Sequence, residues 1–138
     1  MEELEEFVKE NYPDQQSKLG LIKEIYKKLV ESIQIGKGGY YYEDLAKSVG
    51  LINSSDEFDI SKRNELKYML AIISHFEVKN KRPMLSAIVV RKDSKRPGKG
   101  FFEWAEELGI FDDKNEEIFW SEQIKALQEC WKAKISHS

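Results

Sequence analysis

Leu85-Ser-Ala-Ile-Val-Val90 is an apolar run that passes directly into Arg91-Lys-Asp-Ser-Lys-Arg-Pro-Gly-Lys-Gly100, a basic stretch punctuated by proline and glycine. Its β-branched residues predict a strand over 85–91. Lys95-Arg-Pro-Gly98 predicts a turn, because proline presets φ at one turn position and glycine tolerates the next. From Lys79 to Lys99 there are eight Lys/Arg against one acid, Asp93, in a chain whose formal charge is −3. A strand opening into a cationic turn is a place to touch an anion. It also marks the main β content of a sequence whose other patterns are mostly helical.

Working outward, the segment from Lys62 to about Val78 repeats apolar residues at three- and four-residue steps, with Leu66, Met69, Leu70, Ile73 and Phe76 on one face. Ser61 is the expected N-cap, although Ser61-x-x-Asn64 lacks the Glu of a full capping box. Asn80-Lys-Arg-Pro83 ends the helix. Further upstream, Ser17–Ile35 is the clearest amphipathic helix, stopped by Gly36-Lys-Gly-Gly39, which allows φ > 0. Residues 1–11 form a short acidic helix, Tyr40-Tyr-Tyr42 a brief strand, and Glu43–Val49 a short helix. Downstream, Phe101–Leu108 is helical. A last helix over Glu116–Ile135 places Ile118, Phe119, Ile124, Leu127 and Trp131 on its apolar side. The expected fold is α+β, mostly helical with a small β-sheet or hairpin, in a single domain over 1–138.

At 138 residues with 41% hydrophobic content the chain is long enough to bury a core. Charge is segregated. Residues 1–10 hold five Glu against one Lys, and Glu103–Glu129 holds nine acids against Lys114 and Lys125, so the basic segment lies between two acidic ones. The single Cys130 has no internal disulfide partner, which fits a reducing compartment. No run of about 18 apolar residues occurs, so no transmembrane helix or membrane partner is expected. The Glu-rich start does not resemble a signal peptide, and a cytoplasmic location is expected.

Several constellations bear on function. Tyr42-Glu-Asp-Leu-Ala46 through Gly50-Leu51, followed by a helix, has the pattern of a helix-turn-helix, with Lys62, Arg63 and Lys67 at the end of the second helix that enters a groove. Arg91, Lys92, Lys95, Arg96 and Lys99 would extend this surface to phosphates as a wing. The acids Asp56, Glu57 and Asp59 in the intervening loop oppose it, and the alternative is a helical scaffold with a solvated basic turn. Gly98, Lys99 and Gly100, just before a helix, suggest an anion nest, or simply a turn feeding that helix. Asp59 with Glu65-Leu-Lys67 superficially matches a metal-dependent nuclease set, but helical spacing points Glu65 and Lys67 apart. His75, His137 and Cys130 make no spaced ligand set, so no metal and no cofactor is expected. Among the aromatics, Phe101-Phe102 and Phe119-Trp120 are consecutive. One of each pair is expected to face outward, where aromatics favour protein partners or self-association.

The order Tyr42-x-x-Leu45-Ala46-x-x-x-Gly50, a helix, Pro83-x-Leu85-Ser86-Ala87-x-Val89-Val90, then Pro97-Gly98-Lys99-Gly100-Phe101 is similar to a small winged-helix-like domain. That domain occurs in uncharacterised bacterial and phage proteins, sometimes joined to nuclease domains in defence-type loci. The chain more distantly resembles the DNA-binding domain of alkylguanine alkyltransferases and alkyltransferase-like proteins. The similarity covers about residues 40–104, with flanking helices over 1–35 and 116–135. Where the alkyltransferases carry a reactive Pro-Cys-His-Arg element, this chain reads Pro83-Met-Leu-Ser86, so alkyl transfer is not implied. What the resemblance implies is a winged-helix-like core in a nucleic-acid setting.

The leading expectation is therefore a non-enzymatic nucleic-acid-binding accessory or regulatory module of a bacterial or phage genome. The alternative is a protein-interaction module of inhibitor or immunity type, using the acidic segments over 103–129. An enzyme of unknown reaction ranks third.

Overall fold

The computed structural model describes residues 2–55, 57–112 and 115–135. Asp56, His137 and the Asp113-Lys114 step of the last linker lie outside the described residues. The elements run α1 (Glu2–Asn11), a 3₁₀ segment (Pro13–Lys18), α2 (Leu19–Gln34), β1 (Tyr40–Tyr41), α3 (Tyr42–Ser48), α4 (Ile60–Lys79), a second 3₁₀ segment (Leu85–Ile88), β2 (Val89–Val90), α5 (Lys99–Glu107) and α6 (Glu116–Ile135). The fold is α+β, mostly helical with one two-stranded sheet among the described residues.

α4 is the central helix. Leu66, Met69, Leu70, Ile73 and Phe76 are buried as their spacing predicts, and Ile72, Ser74 and Glu77 are buried with them. The helix is enclosed on several sides because α1, α2, α3, α5 and the Leu85–Ile88 segment all pack on it. It begins earlier than expected. The N-cap is Asp59, not Ser61: its carboxylate accepts from the Lys62 N–H at 2.9 Å. Asp is as good a cap as Ser, and Ile60 and Ser61 keep helical geometry behind it.

The apolar run does not fold as one strand. Leu85–Ile88 is a 3₁₀ segment and only Val89–Val90 extends. Every residue from Met84 to Val89 is buried, so the run signals burial on all sides rather than a half-buried pleat. Side chains take the place of a ladder. Gln123 accepts from the Met84 N–H at 2.9 Å, and Ala87 C=O accepts the Trp120 indole N–H at 2.8 Å. The hydroxyls of Ser74 and Ser86 meet at 2.7 Å. β2 pairs with β1 in parallel, Tyr40 with Val89 and Tyr41 with Val90. The basic segment after β2 is thus a loop leading to α5 rather than the turn of an antiparallel hairpin.

Two expectations for the later helices are corrected. Phe101 and Phe102 are both buried. Phe101 faces Phe119 at 6.0 Å and Phe102 faces Phe111 at 6.0 Å, because α5 is covered on two sides. Ile118, placed on the apolar side of α6, is 59% exposed, while Phe119 turns inward.

A polar cluster lies inside this core. Glu77 is fully buried. The Arg82 guanidinium donates to both its oxygens, at 3.0 and 2.9 Å, and the Tyr26 hydroxyl donates to one at 2.7 Å. The hydrogen bonds to Glu77 push the Arg82 titration upward, and burial followed by the Glu77 charge pushes the Tyr26 phenol far above its ordinary value.

His75 sits in an aromatic nest. Its Nδ1 is 2.7 Å from the Tyr12 hydroxyl, and Phe7 and Trp104 meet its ring edge-on at 4.9 and 6.1 Å. Burial, then the Lys79 charge, holds the imidazole below its ordinary value of 6.5. The unfolded chain therefore takes up the proton first, and stability is lost as pH falls from about 6.5 toward the lowered value. The slope should stay well under the one-proton limit of about 1.4 kcal/mol per pH unit, because the ring keeps some contact with screening water. Chemical denaturation between pH 7 and 5 measures it. A His75→Gln variant should flatten that window, and an unchanged slope would contradict the assignment.

Candidate nucleic-acid interface

The site is assembled by the β1–β2 pair. Pairing Tyr41 with Val90 sets Tyr41 and Tyr42 beside Arg91, the first residue after β2. The loop then closes on itself: Arg91 N–H donates to Arg96 C=O at 2.8 Å and Lys95 N–H to Arg91 C=O at 2.9 Å, with Lys95 at φ 60°. This closure projects Lys92, Asp93 and Ser94 as its exposed tip. From the other side come Arg63 and Lys67, four residues apart on α4 and so on one face of its first turns.

These parts enclose a cleft of about 280 Å³. Arg63, Lys67, Arg91 and Lys92 line it together with Tyr41, Tyr42, Phe58, Glu43 and Asp93. Cations from two distant stretches of chain thus meet. The Lys67 ammonium and the Arg91 side chain lie 3.9 and 4.0 Å from the point where a Gly98 Cβ would stand. The cations sit over aromatic faces: Arg63 over Phe58 at 5.4 Å, Lys67 over Tyr42 at 6.0 Å and Lys92 over Tyr41 at 5.8 Å. Lys95 is beside them, its ammonium donating to the Tyr41 hydroxyl at 2.8 Å.

The cleft's two acids are both engaged. Glu43 pairs with Lys47 at 3.2 Å, and Asp93 receives two hydrogen bonds from Arg91, at 3.2 and 3.0 Å. Those bonds hold the Asp93 carboxyl below the usual carboxylate range. Both partners of the Arg91–Asp93 pair are exposed, so water screens the pair and its hold on Arg91 is weak.

Four of the expected phosphate contacts do not line the cleft: Lys95, which stands beside it, and Lys62, Arg96 and Lys99. Lys62 lies 3.5 Å from Glu65, which Lys18 also binds. Arg96 is clamped to Glu116 at 3.0 Å and Glu117 at 2.6 Å, with its guanidinium 5.4 Å above Phe102. It ties the basic loop to α6. Lys99 is exposed at the start of α5.

Around Gly98, Lys99 and Gly100 the backbone is that of a helix start. Gly98 is the N-cap of α5 at φ −68°, its N–H donates to the Tyr42 hydroxyl at 3.2 Å, and its C=O accepts from Phe101 N–H. That N–H is therefore already committed, and it holds Tyr42 as the cleft wall. Burial raises the Tyr42 phenol above its ordinary value, opposed by the Gly98 hydrogen bond, so it stays neutral at working pH.

Asp59, Glu65 and Lys67 form no joint centre: Asp59 caps α4, Glu65 is bound by lysines, and Lys67 faces the cleft. Among the described residues no group of three or more His, Cys, Asp or Glu is placed to hold a metal ion. Nor is any helix there long and apolar enough to cross a membrane. Phe58 went unnoticed in the sequence, where its one signal is an aromatic in a polar loop just before an N-cap.

Tyr42 and Lys67 also form the shared wall of a second pocket, about 290 Å³, between α4 and α5. Leu70, Ala71, Phe101 and Trp104 make it mainly apolar. No known protein family, curated protein or solved structure matches this chain.

Proposed function

We propose that this protein is a non-enzymatic nucleic-acid-binding module that holds phosphates in the cationic cleft, acting as an accessory or regulatory protein of a bacterial or phage genome. The observation that carries the proposal is the convergence of Arg63 and Lys67 of α4 with Arg91 and Lys92 after β2 around one cavity. With a net charge of −3 the molecule has no general attraction for polyanions, so affinity must come from this local field. Aromatic rings interleaved with the cations suit a single strand, whose bases are free to stack. α4 is enclosed along most of its length, which leaves only its first turns to reach a ligand. In a winged-helix-like arrangement α3 and α4 would be the helical pair and the 91–98 loop the wing.

Fluorescence polarisation with a labelled single strand and a duplex of equal length tests this. For three to four phosphates neutralised on a single strand, log K should fall against log salt with a slope of about −2 to −3. Reversing Arg63, Lys67, Arg91 and Lys92 to Glu should abolish binding, whereas Lys62→Gln and Lys99→Gln should leave it nearly intact. Asp93→Asn releases Arg91 and should tighten binding several-fold. A folded quadruple variant that still binds as well as the parent ends the proposal.

A further inference from the structure

We propose that the two adjoining pockets form one site for a nucleoside polyphosphate, with the phosphates in the cationic cleft and a guanine base in the pocket between α4 and α5. This goes beyond strand binding and has its own test.

The charge density argues for it. A strand offers one charge per nucleotide, spread along its backbone. The cleft gathers four cations around about 280 Å³. Even with Arg91 shared with Asp93, that exceeds what one phosphodiester supplies, and it matches the several charges of a di- or triphosphate packed in one place. Arg63 and Arg91 supply planar forks for phosphate oxygens, and Lys67 and Lys92 supply point charges.

The neighbouring pocket fits the rest of such a molecule. At about 290 Å³ it lies at the lower edge of small-ligand sites, which start near about 300 Å³, so it suits one base and not a base pair. Trp104 forms one wall, and its indole N–H is fixed to Ala71 C=O at 2.8 Å, so the ring is oriented before any ligand arrives. Lys67 and Tyr42 belong to both pockets, so a ligand reaching from one to the other passes along them.

The acids give the site a direction. Glu103 and Glu107, one turn apart on α5, line the apolar pocket and have no ion pair among the described residues. Carboxylates repel a phosphate but accept hydrogen bonds from base N–H groups. Guanine offers an imino and an amino donor on one edge, the arrangement a carboxylate can receive at two points.

Titration calorimetry on the whole chain tests the site with GTP, ITP, GMP, guanosine and inorganic triphosphate. GTP should bind at least about tenfold more tightly than GMP, which lacks two phosphates, and guanosine should not bind measurably. ITP, lacking the amino group, should bind several-fold more weakly than GTP. Glu103→Gln with Glu107→Gln should erase the preference for GTP over ITP and leave inorganic triphosphate unchanged. Lys67→Gln should weaken every phosphate-bearing probe. Both changes are at exposed positions, so the fold is retained. Equal affinity of GTP and inorganic triphosphate for the parent protein overturns the base pocket. No nucleotide binding, with strand binding intact, overturns this proposal and leaves the nucleic-acid reading standing. GTP binding without strand binding does the reverse.

Discussion

Arg82→Ala should be the most damaging change to a charged side chain in this protein, lowering stability by about 3–5 kcal/mol. The reason is what it leaves behind. Glu77 is fully buried, and its carboxylate is held by the Arg82 fork and the Tyr26 hydroxyl. Truncation removes the only cation on that carboxylate among the described residues and leaves the neutral Tyr26 hydroxyl as its donor there. It also strips a guanidinium lying 5.3 Å from the Phe76 ring and 6.0 Å from the Trp131 ring. A domain is stable by only about 5–15 kcal/mol, so the loss is a large share of the whole. Arg82→Lys should recover little, because a point charge does not reproduce the two-point geometry.

The same logic gives a control. Changing both partners, Glu77→Gln with Arg82→Met, removes the buried charge as well as its counter-charge and should cost much less than Arg82→Ala alone. Urea denaturation of the three proteins measures this. An Arg82→Ala loss below about 1 kcal/mol, or a double variant worse than the single, would show that Glu77 is not dependent on Arg82.

What could be read in the sequence follows from range. Helices announce themselves locally: Ile22, Ile25, Leu29 and Ile33 place α2, and Leu66 through Phe76 place α4. The Leu85–Val90 run misled because an apolar run reports burial without saying in what conformation. Its backbone partners, Gln123 and Trp120, lie more than thirty residues away. Glu77 looks like any polar residue on a helix until the turn at Asn80 brings Arg82 back onto it.

Charge was legible as a total and not as an arrangement. Eight cations were candidates for one surface. Four line the cleft and Lys95 stands beside it, while Lys62 and Arg96 are taken by Glu65 and by Glu116 with Glu117. Nothing local decides that split. It depends on where acids far along the chain come to rest. Local pattern placed α3, α4 and the basic segment in order along the chain. The parallel β1–β2 pairing that joins them rests on one glycine.

Gly39→Ala should be the most damaging single-methyl change in the chain, and it should disable the cleft as well as the fold. Gly39 has φ 122°, and a Cβ there would stand 2.2 Å from the Ile88 carbonyl oxygen. That oxygen is backbone, held where the 3₁₀ segment runs into β2, so it cannot rotate aside. The backbone strain alone costs about 1–3 kcal/mol and forcing the segments apart a further 1–3 or so. Gly38→Ala separates the two effects. Gly38 also has positive φ, 93°, but a Cβ there meets nothing within 4 Å, so it should show the strain without the collision. β1 begins at the residue after Gly39, and its pairing with β2 aligns Tyr41 and Tyr42 with Arg91. Displacing β1 therefore pulls the aromatic wall from the cations. Gly39→Ala should lose ligand affinity at temperatures where it remains folded, while Gly38→Ala keeps it. Equal loss of stability in both variants would show that close approach of the two strands is not what holds this site together.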